Sequence, residues 1–205
     1  MPPTAVMAAA GRADAVVLGP GLGRVTDSFA LAQGLAELVE KPLLLDADGL
    51  NALAQLGLEG LEGLAGRDHP TVLTPHAGEL GRLLGWPSAD VEAHRLAAAR
   101  EAAQRSGAIV VLKGDDTLVV EPVGLTGVSM GGSPGLATAG TGDVLSGIAA
   151  AFLAQGLDPF EAACAAVWVH GEAGRGAAEA LGADSMIAGD VVDALPAVMR
   201  RAASR

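Results

Sequence analysis

The chain has 205 residues, half of them hydrophobic, enough for one α/β domain that buries roughly 70% of its unfolded surface. Twenty-four acidic side chains against 13 basic ones give a net charge of -11, which excludes a general nucleic-acid binder because phosphate backbones select clustered Lys and Arg. No apolar stretch of about 20 residues and no charged-then-apolar start is present, and the single cysteine, Cys164, excludes an intramolecular disulfide and a multi-cysteine zinc site, so the expected setting is the cytoplasm, away from membranes.

Three Phe, two Trp and no Tyr leave Ala, Val, Leu and closely approaching Gly to fill the core. Short β-branched or Leu-rich runs alternate with longer Ala-rich segments of helical period, the arrangement of parallel strands joined by crossover helices. In chain order, a strand is predicted at 15–18, a helix at 26–40, a strand at 43–45 and a helix at 49–55. A strand at 71–73 leads into helices at 76–84 and 89–106, with Ser88 preceding the second and Glu92 near its first turn. Strands at 109–112 and 118–121 are predicted to pair antiparallel, because only a short loop through Gly114, Asp115, Asp116 and Thr117 separates them. Residues 121–140 hold six Gly and two Pro with little periodicity and read as a functional or mobile loop. Helices at 142–155, 159–181 and 187–202 complete the chain, with Asp158-Pro159 as an N-cap and first-turn proline. Within the second of these, Cys164 reads as an inert core thiol and Trp168 as a core or subunit contact, and the spacing of Trp168, His170 and Glu172 argues against a metal site.

The strongest constellation is Ala137-Thr138-Ala139-Gly140-Thr141-Gly142-Asp143-Val144-Leu145-Ser146-Gly147, a glycine-rich turn running into an apolar helix. The unpaired N–H groups of that first turn, with the helix dipole behind them, form an anion site, and Asp143 beside it is placed to take a proton from an attacking hydroxyl. A capped helix whose first-turn Asp is favoured by the dipole explains the same residues without chemistry. The pattern is neither the Walker A loop nor the dinucleotide Gly-x-Gly-x-x-Gly.

Three further motifs end strands: Leu18-Gly19-Pro20-Gly21-Leu22-Gly23, Leu45-Asp46-Ala47-Asp48-Gly49-Leu50-Asn51 and Leu73-Thr74-Pro75-His76-Ala77-Gly78-Glu79. Val111-Leu112-Lys113-Gly114-Asp115-Asp116-Thr117 stands in the same relation to its strand. Groups at the carboxyl ends of parallel strands line one crevice. Lys113 points either into that crevice or into solvent, and His76 with Glu79 is either a shared site or a helix cap. Asp46 and Asp48, with Asn51 assisting, are spaced to help hold a hydrated Mg2+ through waters, the alternative being that Asp48 caps the next helix.

Gly140-Thr141-Gly142-Asp143 resembles the anion-hole motif of the ribokinase-like superfamily, and the ordered set over 15–199 is similar to the ADP- or ATP-dependent NAD(P)H-hydrate dehydratases. The resemblance implies one domain over 1–205, a three-layer α/β/α fold with a mostly parallel central sheet. It implies a lyase that phosphorylates the hydroxyl of hydrated NADH or NADPH and then eliminates phosphate. Asp143 is then the base, assisted by the amides around Gly140, Thr141 and Gly142; Gly21, His76 and Asp143 contact the hydrated dinucleotide. Lys113, Gly114, Asp115, Asp116 and Thr117, with Gly142, hold ADP or ATP, and Mg2+ accompanies the nucleotide with no direct ligand assigned. A cytoplasmic homo-oligomer, a tetramer, is implied as well. Members of the family carry a further segment ahead of the first glycine loop, so the sheet is expected to lack N-terminal strands and nucleotide binding to be firmer than turnover. A ribokinase-like kinase for a vitamin precursor or sugar, and an idle nucleotide-binding or oligomer-forming module, are the competing readings.

Overall fold

The computed structural model describes residues 1–204. A six-stranded sheet runs β1 (Val16–Leu18), β2 (Leu43–Leu45), β3 (Thr71–Leu73), β4 (Ile109–Leu112), β5 (Leu118–Val120) and β6 (Thr126–Val128), in that spatial order. The first four strands are parallel and the last two join antiparallel, so the expected hairpin after Leu112 is present.

The sheet is covered on both faces, which explains why β2 is an unbroken Leu triplet. Leu43 and Leu45 enter one core, shared with α1 (Thr4–Arg12), α2 (Thr26–Leu38), α3 (Ala47–Ala54), α4 (Leu58–Glu62), α5 (Ala77–Leu84), α6 (Ser88–Ala93) and α7 (Arg95–Ser106). Leu44 enters the other, with Val72, Val111 and Val119 under α8 (Thr141–Ala154), α9 (Pro159–Leu181) and α10 (Ala188–Ala203). Many helix residues in these cores are Ala, such as Ala98, Ala99, Ala102 and Ala103 of α7, all fully buried. Small side chains let the helices lie close on the strands in a core poor in aromatics. Among the described residues no helix is long and apolar enough to cross a membrane.

Several expectations need correction. The predicted helix at 89–106 is two helices, broken where His94 leaves the helical region (φ -132°, ψ 41°). Ser88 does not cap the first of them: it is already helical, Pro87 precedes it, and no side chain caps the end. The expected loop at 121–140 contains β6 and a 3-10 turn at Pro134–Ala137, because β5 offers a free edge to Thr126–Val128 and Ser133 caps the turn. The short helices α1 and α4 lay outside the predicted set. Asp158 caps α9 as expected, accepting from the amides of Phe160 (2.9 Å) and Glu161 (3.1 Å).

The register aligns Leu18 with Leu45, Leu45 with Leu73, and Leu73 with Val110. The carboxyl ends of β1 to β3 therefore stand in a row. β4 is prolonged by a bridge between His76 and Lys113, where the Lys113 amide donates to Pro75 O (2.8 Å).

Candidate active site

Beyond the carboxyl ends of β3 and β4 lies a cavity of about 880 Å3, walled by the starts of α5 and α8, the loop after β4 and the middle of α9. It gathers His76, Lys113, Gly114, Asp115, Thr117, Thr141 and Gly142 from the sequence motifs. Gly21, Asp116, Gly140 and Asp143 stand outside its wall and are exposed, Asp143 immediately after Gly142.

Helix α8 starts without a side-chain cap, at Gly140 in the left-handed region (φ 87°), so Gly140 is required by the backbone. The amides of Gly142 and Asp143 have no acceptor among the described residues, so the helix start offers free donors of the kind that suit an anion. Thr141 fixes the approach: its hydroxyl lies 2.6 Å from Leu136 O and 2.8 Å from Thr138 O and shares its one proton between them, fastening the helix to the preceding 3-10 turn. The carboxylate of Asp143 makes no hydrogen bond or ion pair among the described residues, so its proton-accepting oxygens are free.

His76 and Glu79 form a capping box at the start of α5, with Glu79 Oε2 accepting from the His76 amide (2.9 Å) and His76 Nδ1 from the amides of Gly78 (3.0 Å) and Glu79 (3.3 Å). The pair is a helix cap, and the His76 ring also lines the cavity. With Nδ1 an acceptor, the neutral ring carries its proton on Nε2. Burial holds its pKa below the ordinary imidazole value, although Glu79 pulls the other way.

Lys113 points into the crevice. Its ammonium lies 2.8 Å from Asp46 Oδ1 and 3.8 Å from Glu79 Oε2. The following loop is held by Arg95, whose guanidinium donates to Leu112 O (3.1 Å), Lys113 O (3.2 Å) and Asp116 O (3.3 Å). The break at His94 places Arg95 on that loop, so the helix interruption and the loop geometry are one feature.

Asp46 and Asp48 do not share a site. Asp46 is the N-cap of α3 and turns toward Lys113 and Ser146, whereas Asp48 is bound by Gly23 N (3.1 Å), Arg24 (2.9 Å) and Asn51 (3.2 Å). Burial pushes the Asp48 carboxyl up, but hydrogen bonds from Arg24, Asn51 and the Gly23 amide outweigh it and hold its pKa below the ordinary carboxylate value. Asn51 continues to Arg82 (2.9 Å), so the chain from Arg24 to Arg82 is a strut between the first glycine loop and α5. No group of three His, Cys, Asp or Glu able to hold a metal occurs among the described residues. The donor set thus fits an Mg2+ carried on nucleotide phosphates and water and does not fit a protein cage.

His170 is a cavity residue that the sequence reading passed over. Its Nε2–H donates to Thr141 O (2.9 Å), and burial keeps its pKa below the ordinary imidazole value. A lone His in an Ala-rich helix gives no signal by itself; only the packing of α9 against α8 brings it to the site. Trp168 is not a core residue: it is 39% exposed beside a smaller cavity of about 340 Å3 between α9 and β6. Cys164 borders the same cavity half-buried, and burial pushes its thiol pKa up, as an unreactive thiol requires.

Two helical layers over a mainly parallel sheet, with a glycine-rich helix start facing the strand ends, define the ribokinase-like α/β class. A ribokinase-like superfamily protein from Enterococcus faecalis superposes with a TM-score of 0.77 at 29% identity, covering 96% of this chain and 66% of that one. The chain belongs to the NAD(P)H-hydrate dehydratase family, whose model matches residues 2–197. It is 46% identical over 187 residues to a bifunctional NAD(P)H-hydrate repair enzyme of Thermofilum pendens, covering 91% of this chain and 35% of that protein. It is 44% identical over 183 residues to the ADP-dependent (S)-NAD(P)H-hydrate dehydratase of Neisseria meningitidis, covering 88% and 61%. The crystal structure of an ADP/ATP-dependent NAD(P)H-hydrate dehydratase from Bacillus subtilis, co-crystallized with ATP/Mg2+, superposes with a TM-score of 0.78 at 32% identity, covering 94% of this chain and 68% of that one. The chain spans about a third of the length of the bifunctional relatives.

Proposed function

We propose that the chain is a domain catalysing the ADP- or ATP-dependent dehydration of hydrated NADH and NADPH, a repair reaction for nicotinamide cofactors. The observation that carries this reading is the meeting of the free amides of α8, the Lys113–Thr117 loop and His76 in one cavity, with an unpartnered Asp143 at its mouth. The Neisseria meningitidis and Bacillus subtilis proteins carry this activity in their names, and the latter was co-crystallised with ATP/Mg2+.

Asp143 takes the proton of the substrate hydroxyl as the oxygen attacks the terminal phosphorus, and the bond from that phosphorus to the nucleotide's bridging oxygen breaks. The free amides of Gly142 and Asp143, in the turn opened by Gly140 and Thr141, face the charge spread over the transferred group, the Thr141 amide being taken up by Thr138 O (3.4 Å). Phosphate then leaves with the former hydroxyl oxygen while the adjacent ring carbon gives up a proton to solvent, its C–H electron pair restoring the nicotinamide double bond, so the net reaction is loss of water coupled to nucleotide hydrolysis. His76, a neutral Nε2–H donor, and Gly21, on the exposed glycine loop after β1, contact the hydrated dinucleotide, while Lys113, Gly114, Asp115, Asp116 and Thr117 hold the nucleotide. Mg2+ supplies positive charge on the nucleotide phosphates. The protein works in the cytoplasm as a homo-oligomer, a tetramer, which light scattering measures.

The test is incubation with hydrated NADH and ADP or ATP in Mg2+. Absorbance of reduced nicotinamide is expected to return, and accumulation of a stable phosphoester instead would make the chain a small-molecule kinase. Asp143→Asn is expected to lower turnover by about 10^2 to 10^4 with nucleotide affinity retained in calorimetry; full activity of that variant removes Asp143 from the role of base.

A further inference from the structure

We propose that Asp46 is a positioning residue for phosphoryl transfer, seating the Lys113 ammonium beside the first turn of α8 as a fixed positive charge that supplements the free amides. The inference rests on reading that turn as the anion site. Asp46 closes β2 and is 1% exposed, so its charge needs full partnering. Three donors supply it: its neighbouring amide at Ala47 (2.8 Å), Lys113 Nζ (2.8 Å) and Ser146 Oγ (2.7 Å). The ends of β2 and β4 and the second turn of α8 are thereby tied at one carboxylate.

The position of Lys113 is what gives this tie a chemical meaning. Its Nζ lies 3.8 Å from the point where a Cβ on Gly142 would stand, so the ammonium faces the turn whose amides are free. Lys113 remains 24% exposed toward the cavity, and an ammonium has three protons, so the bond to Asp46 leaves donors for a phosphate. Ser146, three residues after Asp143, satisfies the second carboxylate oxygen, so Asp46 stays charged and keeps its other oxygen for Lys113. A buried ion pair is a poor way to stabilise a fold, since apolar residues of like volume serve as well or better. Here it holds an otherwise flexible four-carbon side chain at the place where phosphate charge develops, which an apolar pair cannot do.

The experiment compares Asp46→Asn, Lys113→Met, Lys113→Arg and the Asp46→Asn/Lys113→Met double variant, measuring calorimetric affinity for AMP, ADP and ATP in Mg2+, kcat, KM and unfolding temperature. Asp46→Asn is expected to weaken ADP and ATP by about tenfold, the scale of one charge-assisted hydrogen bond, with AMP nearly unchanged and kcat reduced more than KM is raised. Because Asp46 acts through Lys113, the double variant is expected to be no worse than Lys113→Met alone, and Lys113→Arg to recover part of the loss. Additive losses in the double variant, or equal weakening of AMP and ATP by Asp46→Asn, overturn the proposal. Lys113→Met carries the test if Asp46→Asn does not fold, because wild-type ATP affinity in Lys113→Met overturns it too. Failure of the wild-type protein to bind any adenine nucleotide overturns the reading of the site, whereas wild-type binding with an unchanged Asp46→Asn overturns this inference alone.

Discussion

Gly19 shows how tightly the first strand end is built. Its φ of +129° is open to few side chains, and a Cβ there would stand 1.8 Å from the Asp46 carbonyl oxygen and 2.5 Å from the Gly49 amide. Both obstacles are backbone, so neither gives way as a flexible side chain would. Gly19→Ala is expected to destabilise the fold by at least about 2 kcal/mol, read as a lower urea midpoint, and an unchanged midpoint contradicts the packing described. Individual residues were unevenly legible in the sequence. His76, Lys113, Thr141 and Gly142 carry their motif with them and converge on the cavity, whereas His170 and Arg95 have no sequence neighbours that mark them. Asp46 and Asp48 mislead for a related reason: two carboxylates two residues apart look like a pair, but the start of α3 between them turns one toward α8 and the other toward the first glycine loop.

Arg95 opens α7 and reaches three carbonyls of the loop that follows β4, and its guanidinium lies 2.5 to 2.8 Å from where a Cβ on Gly114 would stand. The loop is therefore shaped by another element as well as by its own Thr117, whose hydroxyl donates to Gly114 O (3.2 Å). Arg95→Ala is expected to speed amide hydrogen exchange over 113–117 and to weaken ADP by several-fold, because the loop must then be ordered on binding at a cost in conformational entropy. Unchanged exchange in that loop rules the clamp out. As a control at the opposite end of the sheet, Asp158→Ala removes two bonds to the start of α9 and is expected to cost about 1 kcal/mol of stability with nucleotide affinity intact. The strands at 43–45, 71–73 and 109–112 were legible because a parallel strand covered on both faces is a near-continuous apolar or β-branched run, Thr71 being the one polar member. β6 was not: Thr126-Gly127-Val128 has no period to read, and its pairing is decided by the free edge of β5.

Stability of the whole molecule should depend on pH through His76 and His170, both held below the ordinary imidazole pKa of 6.5 with burial as the main cause. A depressed imidazole pKa means that the unfolded chain binds more protons than the folded one below that value. The contribution is thus present above pH 6.5 and lost as pH falls toward the lowered pKa. Thermal unfolding from pH 8 to pH 5 is expected to show a smaller acid loss for His170→Gln than for the wild type, the difference isolating this group from the carboxylates that protonate in both. An identical slope in the two proteins contradicts it. The order of strand-end motifs, the apolar strands and the Ala-rich helices by themselves determined the layered α/β architecture and placed the start of α8 one residue late, at 142 against the observed Thr141, because pattern and glycine chemistry act locally. Only the tertiary structure decided that Asp46 partners Lys113 and Ser146, 67 and 100 positions away, and that Arg95 and His170 shape the crevice, because those contacts come from packing of distant elements and leave no periodicity in the chain.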